Sequence, residues 1–119
     1  MGHRILIIDD KPDVAVMVQM LLQRAGHEVI TADNGRRGLR RFFETRPDLV
    51  MLDVCMPELN GWETLERLRD LSDVPVLMFS GTSPAAADLE RLRPGRDAFH
   101  SKPLFGDKLV VAIGELLGA

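Results

Sequence analysis

The sequence has few of the features that mark a secreted or membrane protein. It contains one cysteine, Cys55, which cannot form an internal disulfide, and no apolar run long enough to cross a membrane. No stretch has the charged and apolar regions of a secretory signal peptide. We therefore expect a cytoplasmic protein that makes no contact with a membrane.

Neither sign of charge is in large excess. The formal net charge is −3, which provides no overall basic field, so we expect no direct contact with nucleic acid. Basic residues cluster only locally, within one predicted helix, at Arg36, Arg37, Arg40, Arg41 and Arg46. We interpret this cluster as a solvated helix face, with ligand binding as the alternative.

The chain is too short for two ordinary domains. Its 119 residues, of which 45% are hydrophobic and 28% are charged, have the size and balance of one globular domain. It contains no internal repeat, low-complexity segment or linker. We expect residues 1–119 to form a single domain.

Apolar runs alternate regularly with segments of helical period. The apolar runs predict five strands, at 4–8, 28–31, 49–52, 76–79 and 98–100. The segments between and after them predict helices near 12–25, 35–45, 62–71, 84–93 and 106–117. This alternation predicts an α/β fold in which helices cover both faces of a five-stranded parallel sheet.

Polar side chains are found where the predicted strands end. Asp9 and Asp10 follow the first strand, and Asp53 follows the third. Ser80 follows the fourth strand, and Lys102 comes shortly after the fifth. Because ligands of open α/β sheets bind beyond the carboxyl ends of the strands, we expect these five side chains to converge.

Three converging carboxylates require a cation. Two like charges about 4 Å apart repel by roughly 4 kcal/mol at an effective dielectric of 20. Oxygen ligands without a nearby histidine pair favour Mg²⁺ or Mn²⁺ over zinc, and Mg²⁺ usually binds phosphate oxygens as well as carboxylates. Lys102 and the Ser80 hydroxyl are suited to bind a phosphoryl group, and one carboxylate can then act as a nucleophile that forms an aspartyl phosphate.

Four segments together resemble the receiver domain of bacterial two-component response regulators. They are ILIIDDKPD at 5–13, DLVMLDVCMPELNG at 48–61, PVLMFSG at 75–81 and GRDAFHSKPL at 95–104. The resemblance covers essentially the whole chain. Within the family, the chain is similar to the single-domain chemotaxis and sporulation regulators. It implies a doubly wound (βα)5 flavodoxin-like fold with strand order 2-1-3-4-5, either as a stand-alone regulator or as a receiver domain cut from a longer one.

The resemblance also implies a role for each acidic residue of the site. Asp53 is then the phosphoacceptor, and its donor is a phosphohistidine on a histidine kinase or histidine phosphotransfer protein. Asp10, Asp53 and the backbone carbonyl of Cys55 bind Mg²⁺ directly, while Asp9 supports the ion and its waters. The resemblance implies a signalling domain that assists its own phosphorylation and dephosphorylation, and not an enzyme.

A conformational switch is implied by the same resemblance. The Ser80 hydroxyl moves toward the phosphoryl group, and Phe99 turns inward to fill the vacated space. Lys102 and Pro103 match a cis peptide bond of the family, which directs the lysine ammonium at the site.

The first predicted helix is apolar around most of its circumference. Val14, Met17 and Met20 are our candidates for an exposed strip, on the side of this helix that docks the histidine donor in the family. The alternative is that these residues are ordinary core and tolerated surface methionine.

Because Lys108 is the only basic residue of the last predicted helix, we do not expect the salt-bridged dimer of winged-helix regulators, and the output partner stays unknown.

Three other interpretations of the sequence compete with this one. A haloacid-dehalogenase-type phosphatase places its nucleophile on the first strand in a D-x-D arrangement, whereas here Asp9 and Asp10 are adjacent. A flavodoxin-like protein that binds FMN needs a phosphate loop rich in hydroxyl residues and glycine after the first strand, where the acidic DDKPD segment would repel the phosphate. The third is a receiver-like interaction module that is never phosphorylated; the presence of all five site residues argues against it.

Overall fold

One parallel five-stranded sheet forms the centre of the molecule, with strand order β2-β1-β3-β4-β5. A computed structural model describes residues 2–56, 58–81, 85–93, 96–101 and 106–118. The strands are β1 Arg4–Ile8, β2 Glu28–Ala32, β3 Leu49–Asp53, β4 Val76–Ser80 and β5 Asp97–Ser101. The predicted fold class and strand order are confirmed.

Helices follow the strands in alternation. They are α1 Pro12–Arg24, α2 Gly35–Thr45, α3 Gly61–Leu71, α4 Ala86–Leu89 and α5 Gly106–Leu116. All but α4 lie within a residue or two of the predicted bounds. The predicted arginine cluster lies on and just after α2, and all of its members are exposed, as a solvated helix face requires.

Two separate cores form because alternate residues of each strand point to opposite faces of the sheet. Leu6 and Ile8 of β1 pack on the side of α2 and α3. Ile5 and Ile7 pack on the opposite side, with α1 and α5. The central strands β3 and β4 are buried along their whole length, which explains why they appear in the sequence as continuous apolar runs.

Helix α4 is the element that the sequence predicted least well. The predicted helix at 84–93 is wrong in length, since the α-helix covers only Ala86–Leu89 and the chain continues in turns that bond Arg91 N to the Asp88 carbonyl. One reason is local, because Pro94 disfavours a helical conformation at Arg93. The other is tertiary, because the Arg93 backbone N–H donates to the Asp97 carboxylate at 3.0 Å.

A buried ion pair joins α3 to the start of β5. The Arg69 guanidinium contacts the Asp97 carboxylate, and the two side chains are 8% and 0% exposed. Arg69 also donates to the Ser72 carbonyl at 3.2 Å. The pair therefore fixes the end of α3 against the edge strand of the sheet.

Removing one partner of this pair should destabilise the fold strongly. We expect Asp97→Ala to lower the free energy of unfolding by about 3–5 kcal/mol, because it leaves a buried guanidinium without its counter-charge. The matched control is Asp73→Ala, whose carboxylate pairs with Arg93 at 3.1 Å but is 75% exposed. That variant should lose less than about 1 kcal/mol. Urea unfolding of the wild type and both variants measures the difference, and equal losses in the two variants would contradict the assignment.

Candidate functional site

The carboxyl edge of the sheet gathers the acidic residues that were predicted to converge. Asp9 directly follows β1, Asp53 ends β3, and Ser80 ends the neighbouring strand β4. One carboxylate oxygen from each of Asp9, Asp10 and Asp53 lies within 4.8 Å of the other two. Asp9, Asp53 and Ser80 are 2%, 1% and 1% exposed, so the site is set into the protein rather than on its surface.

Backbone groups hold two of these carboxylates. Asp9 Oδ1 accepts a hydrogen bond from the Lys11 backbone N–H at 2.9 Å. Asp53 Oδ1 accepts one from the Cys55 backbone N–H at 3.4 Å. The Cys55 Sγ atom also lies 3.9 Å from Ser80 Oγ, which brings the segment after β3 into contact with the end of β4.

Lys11 is a member of the site that the sequence did not single out. Its Nζ lies 3.2 Å from Asp10 Oδ1 and 3.3 Å from Asp53 Oδ2. The signal is present in DDKPD, where a lysine directly follows the two aspartates. Sequence position alone does not reveal that its side chain turns back over the acidic residues.

The surroundings of Lys11 keep its side chain charged. Partial burial acts to lower the pKa of Lys11, but the negative charge of Asp53 and the hydrogen bonds to Asp10 and Asp53 outweigh it. The pKa therefore lies above its ordinary value of 10.5, and the side chain is an ammonium at neutral pH.

The donor set fits a hard divalent cation. Three carboxylates supply oxygen ligands from a largely buried corner, and oxygen is the ligand atom that Mg²⁺ and Mn²⁺ prefer. Asp10 is partly exposed, which leaves a side of the cluster open to solvent. Asp53 lies deepest and is the carboxylate that ends a fully buried strand.

The predicted switch aromatic lies in a stack of side chains. Phe99 is half-buried and lies parallel to Trp62, with ring centroids 6.3 Å apart and an interplanar angle of 8°. The Arg91 guanidinium lies 5.7 Å from the centroid of the Trp62 ring. Glu66 pairs with the same arginine at 3.6 Å. Phe99 is thus stacked on a residue of α3, and Arg91 from the turn after α4 contacts the same Trp62 ring.

Two predicted site residues are not placed. Lys102 and Pro103 lie outside the described residues, so the predicted convergence of the lysine with the acidic cluster and the predicted cis peptide remain predictions. The other members of the predicted site, Asp9, Asp10, Asp53, Cys55, Ser80 and Phe99, are described.

The exposed strip of α1 differs in one position from the prediction. Met17 and Met20 are 38% and 53% exposed. Val14 is only half-exposed and packs against the core on the α1 side of the sheet, whereas Val16, which the sequence did not single out, is 54% exposed. The apolar surface of this helix is therefore formed by Val16, Met17 and Met20, which we call the α1 strip.

Comparison with known families identifies the class of protein. A family model described as the response regulator receiver domain matches residues 5–114. The chain therefore belongs to the receiver domain family of two-component response regulators, and the resemblance carried by its motifs is confirmed. Receiver domains generally depend on Mg²⁺ and interact with histidine kinases or phosphotransfer proteins.

Two kinds of relative match the chain. It is similar to the uncharacterized transcriptional regulatory protein YrkP of Bacillus subtilis, with 36% identity over 109 residues, covering 92% of this chain and 47% of that protein. It is 31% identical over 119 residues to the chemotaxis protein CheY of Bacillus subtilis, covering 98% of this chain and 99% of that protein. The chain thus spans about half the length of the transcriptional regulators that it matches.

Solved structures agree with the fold. The chemotaxis protein CheY4 of Vibrio cholerae matches with a TM-score of 0.88 and 28% identity, covering 98% of this chain and 99% of that chain.

Within the described ranges, every helix is too short or too polar to cross a bilayer.

The approach of α3 to Asp53 leaves no room for a side chain at Gly61. A Cβ atom there would overlap the Asp53 carbonyl oxygen and lie 2.6 Å from Val54 Cα, and both are backbone atoms of the segment that carries the site. We expect Gly61→Ala to lower the free energy of unfolding by about 1–3 kcal/mol and to weaken Mg²⁺ binding, because this segment must shift.

Gly114→Ala is the matched control for this substitution. Gly114 lies within α5, and a Cβ atom at this position would meet no atom of the described residues within 4 Å. The variant should gain about 0.5–1 kcal/mol from helix propensity and leave Mg²⁺ binding unchanged. Thermal unfolding and calorimetric Mg²⁺ titration measure both effects. A Gly61→Ala protein as stable as Gly114→Ala would show that the close contact has no energetic role.

Proposed function

We propose that this domain accepts a phosphoryl group from a phosphohistidine onto Asp53 in a Mg²⁺-dependent phosphorelay. The observation that carries the proposal is the position of Asp53, which is 1% exposed at the end of β3 with oxygens of Asp9 and Asp10 within 4.8 Å. A buried carboxylate among other carboxylates is costly unless a cation offsets its charge. Membership of the receiver family supports the same function.

The residues of the site divide the tasks of the transfer, and Asp53 has two of them. An Asp53 carboxylate oxygen forms a bond to phosphorus while the bond from phosphorus to the donor imidazole nitrogen breaks, and the electron pair of that bond stays on the imidazole. Asp10, Asp53 and the Cys55 carbonyl would hold Mg²⁺, with Asp9 in support, and the ion would supply positive charge to the phosphoryl oxygens. Ser80 donates a hydrogen bond to one of these oxygens, and Lys102 contributes a second positive charge.

Hydrolysis resets the domain. Water attacks phosphorus of the acyl phosphate, the bond from phosphorus to the Asp53 oxygen breaks with its electron pair staying on the restored carboxylate, and inorganic phosphate leaves while a proton of the attacking water passes to solvent. The domain therefore returns to its starting state without a second protein. It assists these reactions on its own residue, and we propose that it acts as a signalling domain and not as an enzyme with turnover.

Phe99 is proposed to carry the signal away from the site. Its ring lies against Trp62, which follows Gly61, and Gly61 contacts the backbone of Asp53. When the Ser80 hydroxyl moves to the phosphoryl group, the packing beside β4 and β5 changes, and Phe99 moves to fill the space. A packed core of this kind favours two discrete arrangements over a continuous series.

The output of the domain is proposed to pass through protein contacts in the cytoplasm. The transcriptional regulators that match are about twice as long as this chain, whereas CheY is of equal length. Both relatives are named for signalling outputs, in transcription and in chemotaxis. We assign no direct nucleic-acid contact and no membrane contact to this domain, and its output partner is a protein that the sequence does not identify.

Phosphorylation at Asp53 can be tested directly. We expect the wild-type domain, incubated with Mg²⁺ and acetyl phosphate, to gain the mass of one phosphoryl group, and Asp53→Asn to gain none because the amide is not a nucleophile. Asp70→Asn, which neutralises an exposed carboxylate of α3, is the control and should react like wild type. Intact-protein mass spectrometry measures the gain. No mass gain and no beryllofluoride binding by the wild-type domain would favour the unphosphorylated interaction module instead.

The donor surface can be tested separately from the chemistry. We expect Met17→Glu to slow transfer from a phosphorylated histidine kinase by about tenfold, which corresponds to about 1.4 kcal/mol of binding energy. The reason is that a charge in the α1 strip opposes an apolar contact. Phosphorylation by acetyl phosphate should be unchanged, since that donor needs no docking. Phe43→Glu is the control, because it introduces the same charge at an apolar residue that is 59% exposed but lies on α2, outside the α1 strip. This variant should accept the phosphoryl group at the wild-type rate. Equal transfer rates for wild type and Met17→Glu would remove α1 from the interface.

A further inference from the structure

Lys11 bridges two of the carboxylates that are proposed to bind the metal. Its Nζ lies 3.2 Å from Asp10 Oδ1 and 3.3 Å from Asp53 Oδ2. From this position we infer that Lys11 is a built-in counter-ion, which offsets part of the negative charge of the metal-free site and must leave it when Mg²⁺ binds. The inference rests on the proposed function, because it concerns the metal of the same site.

The geometry makes the two cations competitors. A Mg²⁺ ion held by both Asp10 and Asp53 would occupy the space between their carboxylates. The ammonium of Lys11 lies between the same two carboxylates. Two cations in this space repel each other, and each satisfies the negative charge that attracts the other. Lys11 and Mg²⁺ therefore exclude one another.

The side chain of Lys11 is able to leave while its backbone stays in place. It is 52% exposed, in contrast to the 1% of its partner Asp53. Lys11 is the N-cap residue of α1, but its side chain makes no capping hydrogen bond within the described structure. The contact that Lys11 makes with Asp9 uses the backbone N–H, at 2.9 Å, and does not depend on the ammonium.

This competition has two consequences. In the absence of Mg²⁺, Lys11 reduces the repulsion between Asp10 and Asp53 and so stabilises the fold. In the presence of Mg²⁺, the ion must displace Lys11, so the site binds Mg²⁺ more weakly than the three carboxylates alone would. Lys11 thereby sets the Mg²⁺ concentration at which the domain becomes able to accept a phosphoryl group.

The first test measures the affinity for Mg²⁺. We expect Lys11→Met to lower the Kd for Mg²⁺ by about three- to tenfold, the change that corresponds to loss of two partly exposed ion pairs. Methionine keeps most of the length of the side chain and introduces no new N-cap, because it has no acceptor oxygen. Lys108→Met is the control, since it removes the same charge from an exposed position on α5. Isothermal titration calorimetry at fixed ionic strength gives the Kd values.

The second test separates the metal-free and metal-bound states. Lys11→Met should lower the Tm in EDTA, where the two carboxylates lose the positive charge of Lys11. At saturating Mg²⁺ the Tm values of Lys11→Met and wild type should coincide, because Lys11 has already left the site. Lys108→Met should show the same small change in both conditions. Circular dichroism confirms that the variants are folded before each measurement.

The measurements distinguish a failure of the Lys11 inference from a failure of the proposed function. A Kd for Lys11→Met that equals the wild-type value, or a shift no larger than that of Lys108→Met, would overturn the role of Lys11. A Tm difference that is the same in EDTA and at saturating Mg²⁺ would also overturn it. If instead the wild-type domain binds no Mg²⁺ and Asp53 accepts no phosphoryl group, the proposed function fails.

Discussion

Crowded negative charge at the edge of the sheet is the constraint on which the site depends. Asp9, Asp10 and Asp53 bring three carboxylates together beside an apolar core, where two such charges repel by several kcal/mol. A fold tolerates this arrangement only when positive charge reaches it. Lys11 supplies one charge from the start of α1, and the oxygen ligands suit a divalent ion. The same negative charge that destabilises the cluster attracts Mg²⁺ and, together with the ion, an anionic group that the ion can bind.

The parallel sheet keeps the cluster rigid. The central strands β3 and β4 are buried throughout and end together in Asp53 and Ser80, so their last side chains cannot separate without disturbing both cores. The start of α3 adds a second restraint, because Asn60 caps the helix through a capping box and Gly61 then contacts the Asp53 backbone. The carboxylate of Asp53 is thus held in place by the apolar packing of the strands on one side and by the N-terminus of α3 on the other.

Much of this could be predicted from the sequence because it depends on local patterns. Buried strands appear as apolar runs, and polar residues at their ends mark the carboxyl edge. The failures required tertiary information, in the case of α4 together with the local effect of Pro94. The length of α4 depends on Asp97, which binds the Arg93 backbone from the next strand. The exposure of Val16 could not be predicted because α1 is apolar around most of its circumference. The role of Lys11 could not be predicted because the direction of a long side chain depends on the fold around it.

Trp62 gives the proposed phosphoacceptor Asp53 a second route of contacts to the proposed switch, beside the strand register. Asp53 pairs with Phe79 across β3 and β4, and Phe99 lies one strand further away. Along α3, Gly61 touches the Asp53 backbone, Trp62 is its neighbour in sequence, and Phe99 stacks on the Trp62 ring. A shift of the segment that carries Asp53 therefore reaches Phe99 from the α3 side as well as from the side of Ser80. Because Trp62 is 7% exposed and packed in the core, a shift that reaches it meets closely packed neighbours, of which the Phe99 ring is one.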